Sequence, residues 1–243
     1  MELSELVELL YTARERFTTI QVAWQYWYQP DKMNIITERW AASKPSGSVA
    51  VLKSKSTSET ESSVISRYFR RVWWQKPDCW RDEDQREEGG STITIICGGK
   101  WWAFSPGIQT LYTNVTTEEP GHHQNIREIK IGSAPDIEDR IDDIPLLDPS
   151  FLLASHDLQI ISDTVHAERD AIQIKAIYRK GKSRSYEPMF WSTADEYELL
   201  IDKERGILLR YAAKLAGEEF AVASVDQVSF DQPIPERIFT FSI

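Results

Sequence analysis

The sequence predicts a mainly β (α+β) fold organised around an antiparallel sheet, and three stretches carry that prediction. Near the C-terminus, Tyr197, Leu199 and Ile201 alternate with Glu196, Glu198 and Asp202, the period-2 signature of a strand with one buried face. A turn ending in Gly206, a second apolar run from Ile207 to Leu215, a turn at Gly217 and a third run from Phe220 to Phe230 complete a meander. Near the N-terminus, Ile20, Val22, Trp24, Tyr26 and Tyr28 alternate with polar or smaller residues over 18–29, and large rings of this kind pack well on a pleated surface. In the middle, Gly98-Gly99 separates the apolar runs 92–97 and 100–104, a hairpin signal.

The remaining elements follow in chain order. Leu3, Leu6, Val7, Leu10, Ala13 and Phe17 share one face of a helix over 2–16 whose other face is acidic. A membrane-surface helix would carry Lys and Arg there, so this one is expected to pack on a sheet. Residues 43–62 are polar with one apolar island and read as a loop or weak edge hairpin. A strand is expected over 63–75, with Ile65, Phe69 and Trp73 on one face and Arg67, Arg70 and Arg71 among them, then an acidic turn over 82–90. A further strand is expected over 108–113, a polar stretch over 114–145 containing a short strand at 126–131, and a short helix over 145–154 with Asp148 as N-cap and Pro149 in its first turn. Strands over 158–167 and 171–178 lead to the meander, in which Pro233 and Pro235 end the ladder before a last apolar piece over 238–243.

Composition narrows the function. A chain of 243 residues that is 41% hydrophobic can bury a substantial core, and 1–243 is expected to be a single domain and a monomer. A net charge of −10 argues against nucleic acid as a partner, since phosphates are held by bulk positive charge, but does not oppose an apolar ligand. Cys79 and Cys97 match no zinc or redox spacing and are expected as two partly buried strand thiols. The acidic first residues lack the features of a signal peptide and no segment is apolar enough to span a membrane, which predicts a cytoplasmic protein, or an extracytoplasmic one if the chain is a processed form.

Catalytic signatures are missing from the sequence. There is no Gly-x-Ser-x-Gly elbow, no His-Glu-x-x-His, no phosphate loop and no dinucleotide fingerprint. His122, His123, His156 and His166 stand at no diagnostic distance from carboxylates, and the acids of 135–143 lack the spacing of a calcium loop. No catalytic residue, metal site or cofactor is therefore expected, and the chain reads as a non-enzymatic protein.

Four segments, in order, carry a resemblance. They are Trp73-Trp74-Gln75-Lys76-Pro77-Asp78-Cys79-Trp80-Arg81; Gly99-Lys100-Trp101-Trp102-Ala103-Phe104-Ser105-Pro106; Asp202-Lys203-Glu204-Arg205-Gly206 with Leu208-Leu209-Arg210; and Phe230-Asp231-Gln232-Pro233-Ile234-Pro235-Glu236-Arg237-Ile238-Phe239. Together with a helix preceding the first strand, they resemble the LolA-like superfamily of outer-membrane lipoprotein carriers, which includes sensor domains that regulate anti-sigma factors. The resemblance implies a strongly curved antiparallel sheet, an unclosed half-barrel with helices packed in its concave side. It also implies binding of a lipid, an acyl chain or a lipidated protein in that hollow, or alternatively a regulatory, protein-interaction module whose hollow is self-filled. Lys76 stands at the family's basic rim position, Trp80 at its apolar contact position, and Trp102 and Phe104 at the aromatic positions of the hairpin; Trp24, Phe69 and Trp73 complete the expected ligand-binding set. The 114–145 region matches nothing in that pattern.

Overall fold

The computed structural model describes residues 1–43, 65–87, 89–115, 126–137, 140, 144–179 and 193–241. The loop or hairpin expected over 43–62 lies almost wholly outside them, as do His122 and His123. Twelve strands form one sheet in the order β7-β6-β5-β4-β3-β2-β1-β12-β11-β10-β9-β8. They are β1 (Thr19–Tyr28), β2 (Ser66–Gln75), β3 (Cys79–Arg86), β4 (Ser91–Cys97), β5 (Lys100–Ser105), β6 (Thr110–Thr113), β7 (Glu128–Ile131), β8 (His156–His166), β9 (Arg169–Tyr178), β10 (Glu196–Asp202), β11 (Leu208–Leu215) and β12 (Glu218–Phe230). The sheet is open: β7 and β8 stand at its two ends and do not pair with each other. The expected mainly β, unclosed sheet is therefore the observed one. β7 runs parallel to β6. Among the described residues, no helix is long and apolar enough to cross a membrane.

The chain divides into two compact units. The first comprises Met1–Ala13, Tyr26–Ser66 and Pro149–Ser224. Here helix α1 (Leu3–Tyr11) buries Leu6 and Leu10 of the expected face together with Leu9, while Leu3 and Val7 of that face are exposed, so the buried stripe is turned from the expected one. The meander packs Tyr197, Leu199 and Ile201 of β10 with Ile172 and Ile174 of β9 and Leu208 and Leu209 of β11, all buried. The turn from β10 to β11 is built around Asp202, which is fully buried, ion-paired to Arg169, and accepts the backbone N–H groups of Glu204 and Arg205 at 2.9 and 2.6 Å. Gly206 closes it with φ +78°, and a Cβ there would stand 2.4 Å from the Leu9 carbonyl oxygen of α1. Only glycine meets both demands. Helix α2 (Pro30–Ser43) follows β1, and Arg39 pairs with Asp195 at 2.9 Å.

The helix expected over 145–154 is shorter, α3 (Phe151–Ser155), with Ser150 rather than Asp148 at its N-cap. Asp148 lies in the second unit and faces Arg14 at 3.3 Å instead.

The second unit comprises Arg14–Gln25, Arg67–Asp148 and Val225–Ile243. Its strands β2 to β5 are joined in direct antiparallel register, Trp74 opposite Trp80, Trp80 opposite Ile96 and Ile96 opposite Trp101. Two expectations are corrected here. The acidic stretch read as a turn over 82–90 is strand as far as Arg86, because its carboxylates have cross-strand partners: Arg70 holds Asp82 by two hydrogen bonds of 2.8 and 2.5 Å. The two cysteines are not free thiols. Cys79 and Cys97 are register partners on β3 and β4 and are joined as a disulfide. The C-terminal segment contains a 3-10 turn, Glu236–Phe239.

Candidate functional site

Register sorts the aromatic side chains of the second unit onto two faces, because alternate residues of a strand point in opposite directions and direct partners point the same way. On the first face lie Trp74, Trp80, Ile96 and Trp101 in one lateral row, with Val72 and Asp82 in the next. Phe17 meets Trp74 edge-on at 5.5 Å and Phe230 at 5.7 Å; Trp74 meets Trp80 at 5.9 Å. Trp24 lies under the guanidinium of Arg70 at 5.7 Å. This wall is closed to solvent: Trp80 is 0% exposed, Trp74 3% and Trp24 5%. The indole N–H groups of Trp74 and Trp80 are buried within it without a hydrogen-bond partner among the described residues.

Lys76 ends the row, in a turn whose Lys76–Pro77 peptide bond is cis. Its ammonium donates to the carbonyl oxygens of Arg14 and, at 2.7 Å, Phe17. It also sits 3.9 Å from the centroid of the Phe17 ring and 4.7 Å from that of Trp74. Burial, reinforced by the Arg14 charge, brings the Lys76 pKa down to about 8. Beside the Arg70–Asp82 pair, burial pushes the Asp84 carboxyl up.

The second face carries Trp73, Arg81, Ile95 and Trp102 in one row and Arg71, Glu83, Ile93 and Phe104 in the next. The C-terminal segment lies on it. Ile234, Ile238, Phe239 and Phe241 pack with Ile95, Trp73, Trp102 and the disulfide. Phe241 stacks on Trp102 with centroids 6.4 Å apart, and Arg81 donates to the Ile238 carbonyl at 2.8 Å.

The seven expected ligand-binding residues therefore do not converge. Trp24, Trp80 and Lys76 belong to the first face. Trp73, Trp102 and Phe104 belong to the second, with Phe69, 41% exposed, further along the same side of β2. Phe17, Trp74 and Trp101 complete the first wall without having been singled out. The sequence offers two adjacent tryptophans twice, at 73–74 and 101–102, and only the register tells which of each pair faces which way. Among the described residues, no three His, Cys, Asp or Glu side chains are grouped to hold a metal. His156 is buried against the rings of Tyr178 and Tyr197, and its Nδ1 is hydrogen-bonded to Ser155 Oγ at 2.7 Å.

No family model and no curated protein matches the sequence. Solved structures do. MucB in its complex with MucA from Pseudomonas aeruginosa matches at 13% identity and a TM-score of 0.48, over 98% of this chain and 60% of that one. The chain thus spans about 60% of the length of MucB. Lipoprotein LppX of Mycobacterium tuberculosis matches at 9% identity and a TM-score of 0.44, over 96% of this chain and 99% of that one. A LolA superfamily protein from Nitrosomonas europaea matches at 10% identity and a TM-score of 0.29, over 99% of this chain and 98% of that one. The chain is similar to LolA-like structures, at low identity.

Proposed function

We propose that this chain is a non-enzymatic binder of a hydrophobic ligand, a lipid or the acyl chain of a lipidated protein, and that the first face of the second unit is its binding wall. The observation that carries this reading is the pair of buried indole N–H groups at Trp74 and Trp80, unspent inside an aromatic wall that ends in a desolvated ammonium. A buried donor without an acceptor costs about 1–3 kcal/mol. An ester or carboxyl oxygen at the head of an apolar chain supplies that acceptor, and the chain itself gains about 25 cal/mol for each Å² removed from water. Of the expected set, this reading uses Trp24, Lys76 and Trp80. The disulfide supports a working place outside the reducing cytoplasm.

Native mass spectrometry of freshly purified protein, followed by organic extraction, tests the reading. A stoichiometric acyl species is expected. Trp80→Phe, which keeps an aromatic ring and removes the N–H, is expected to weaken uptake of a fluorescent fatty acid at least five-fold, whereas Trp73→Phe on the other face leaves it unchanged. Equal affinity in both variants, with native far-UV spectra, would overturn the assignment of the wall.

A second reading has its own observation: the wall is already covered by the chain itself, Trp80 completely. On that reading the hollow is self-filled and the chain is a regulatory, protein-interaction module. A clean apo mass, with no uptake of added fatty acid, selects it.

A further inference from the structure

The second face carries a cavity that the binding wall does not use. It opens where β2, β1 and β12 lie side by side, has a volume of about 490 Å³, and is lined by Gln21, Val22 and Ala23, by Arg71 and Trp73, and by Gln227, Val228 and Ser229. Gln21 and Ala23, Arg71 and Trp73, and Gln227 and Ser229 stand at i and i+2 on their strands, so the side chains of each pair point to the same side. Arg71 stands opposite Glu83 in the ladder, yet Glu83 is taken by Arg81, whose Nε donates to it at 2.8 Å and whose Nη2 lies 2.6 Å away. No hydrogen bond or ion pair within the described residues engages the Arg71 side chain. A guanidinium is thus left unspent, exposed at the cavity, in a protein whose net charge is −10.

We propose that this cavity is a binding site for a small, polar organic carboxylate. The guanidinium fork matches a carboxylate bidentately. Gln21, Gln227 and Ser229 offer neutral donors and acceptors to hydroxyl or amide groups beside the acid, which an acyl chain does not have. Trp73 provides a flat apolar surface at the same edge. The volume falls in the range that encloses an organic molecule of one ring and far exceeds what a lone inorganic anion fills. The lining offers one cation and the chain as a whole carries −10, so a single acid group is the suited partner. Its polar contacts come from Gln21, Arg71, Gln227 and Ser229, none of which belongs to the wall formed by Trp74, Trp80 and Trp101.

Titration followed by NMR tests it, with the Trp73 indole N–H resonance assigned through Trp73→Phe. The probes are shikimate, salicylate and pyroglutamate at up to ten millimolar, with methyl shikimate and inorganic phosphate as controls. At least one of the three acids is expected to shift the Trp73 resonance saturably, and methyl shikimate is not. Arg71→Met should weaken that binding more than ten-fold and Arg71→Lys by less, because a lysine keeps the charge but not the fork. Arg71 is exposed, so both variants keep the native spectrum. No shift by any of the three acids overturns the proposal, as does an ester that binds like its acid, or affinity that survives Arg71→Met. Phosphate that competes as well as the acids reduces the site to one for simple anions and overturns the carboxylate assignment.

Discussion

Lys76 shows how much one side chain can be asked to do. Its ammonium caps two backbone carbonyls that would otherwise end a buried turn, and faces two aromatic rings, but those gains come with loss of hydration. The balance is visible in its pKa, lowered from 10.5 to about 8 by burial and then by Arg14. In the unfolded chain the amine keeps its proton up to the higher value. Between the two, the unfolded state binds more protons than the native state, so the contribution of this residue to stability rises as pH increases from about 8 to about 10.5. Denaturant unfolding of the wild type and of Lys76→Met, at about pH 7.5 and about pH 9.5, reads this directly. The gap between the two proteins is expected to move in favour of the wild type at the higher pH. A gap that stays constant would mean that the ammonium is as well solvated in the native state as in the unfolded chain.

Strands and their turns were largely legible, and the reason is local. Alternation in β1, β10 and β11 and the glycines at 98–99, 206 and 217 depend on neighbours in sequence, and the structure has strands and positive-φ turns there. What depends on a partner strand was not legible. Carboxylates suggested a turn in what is β3, because the arginine that satisfies Asp82 comes from β2. Alternation placed Trp73 on one side of β2 with Phe69, as the structure has it, but which rings of β3 and β5 share that side depends on register, and with it the candidate site: three of its seven residues line the first wall and four do not. The disulfide is the sharpest case, since residues 18 apart in sequence become neighbours only through the register of β3 and β4. It locks together the two strands on which the C-terminal segment rests, with Cys79 and Cys97 packed against Ile234 and Phe239. Because these are the only cysteines, thiol titration of denatured, unreduced protein is expected to find none. Reduction, or Cys79→Ala with Cys97→Ala, is expected to cost up to about 3 kcal/mol, the chain-entropy value for a loop of this size. Two titratable thiols, or an unfolding transition indifferent to reductant, would show that pairing of the strands needs no covalent help.

At the scale of the whole molecule, an open sheet leaves edges, and an unpaired edge is a template for another strand. The longer of the two edge strands is β8, with 11 residues against 4 in β7. Its residues Ile161 and Val165 are 50% and 66% exposed. Such a strand invites pairing between copies. What opposes it is charge, and it is the charge of the whole chain, −10 at neutral pH, because Asp157 and Asp163 on the strand are paired with Arg179 and Lys203. Repulsion between copies therefore weakens as pH falls toward the isoelectric point near 5.0, while the apolar edge is unchanged. Light scattering after size exclusion is expected to find a monomer at neutral pH and self-association on approach to the isoelectric point. Val165→Lys, which places a cation on the edge and removes an exposed apolar side chain, acts in two opposing ways, since it also lowers the net negative charge. If the edge is the contact, the variant stays monomeric at a pH where the wild type associates. If general loss of charge is the cause, the variant associates at the higher pH of the two, and the edge strand is not where copies meet.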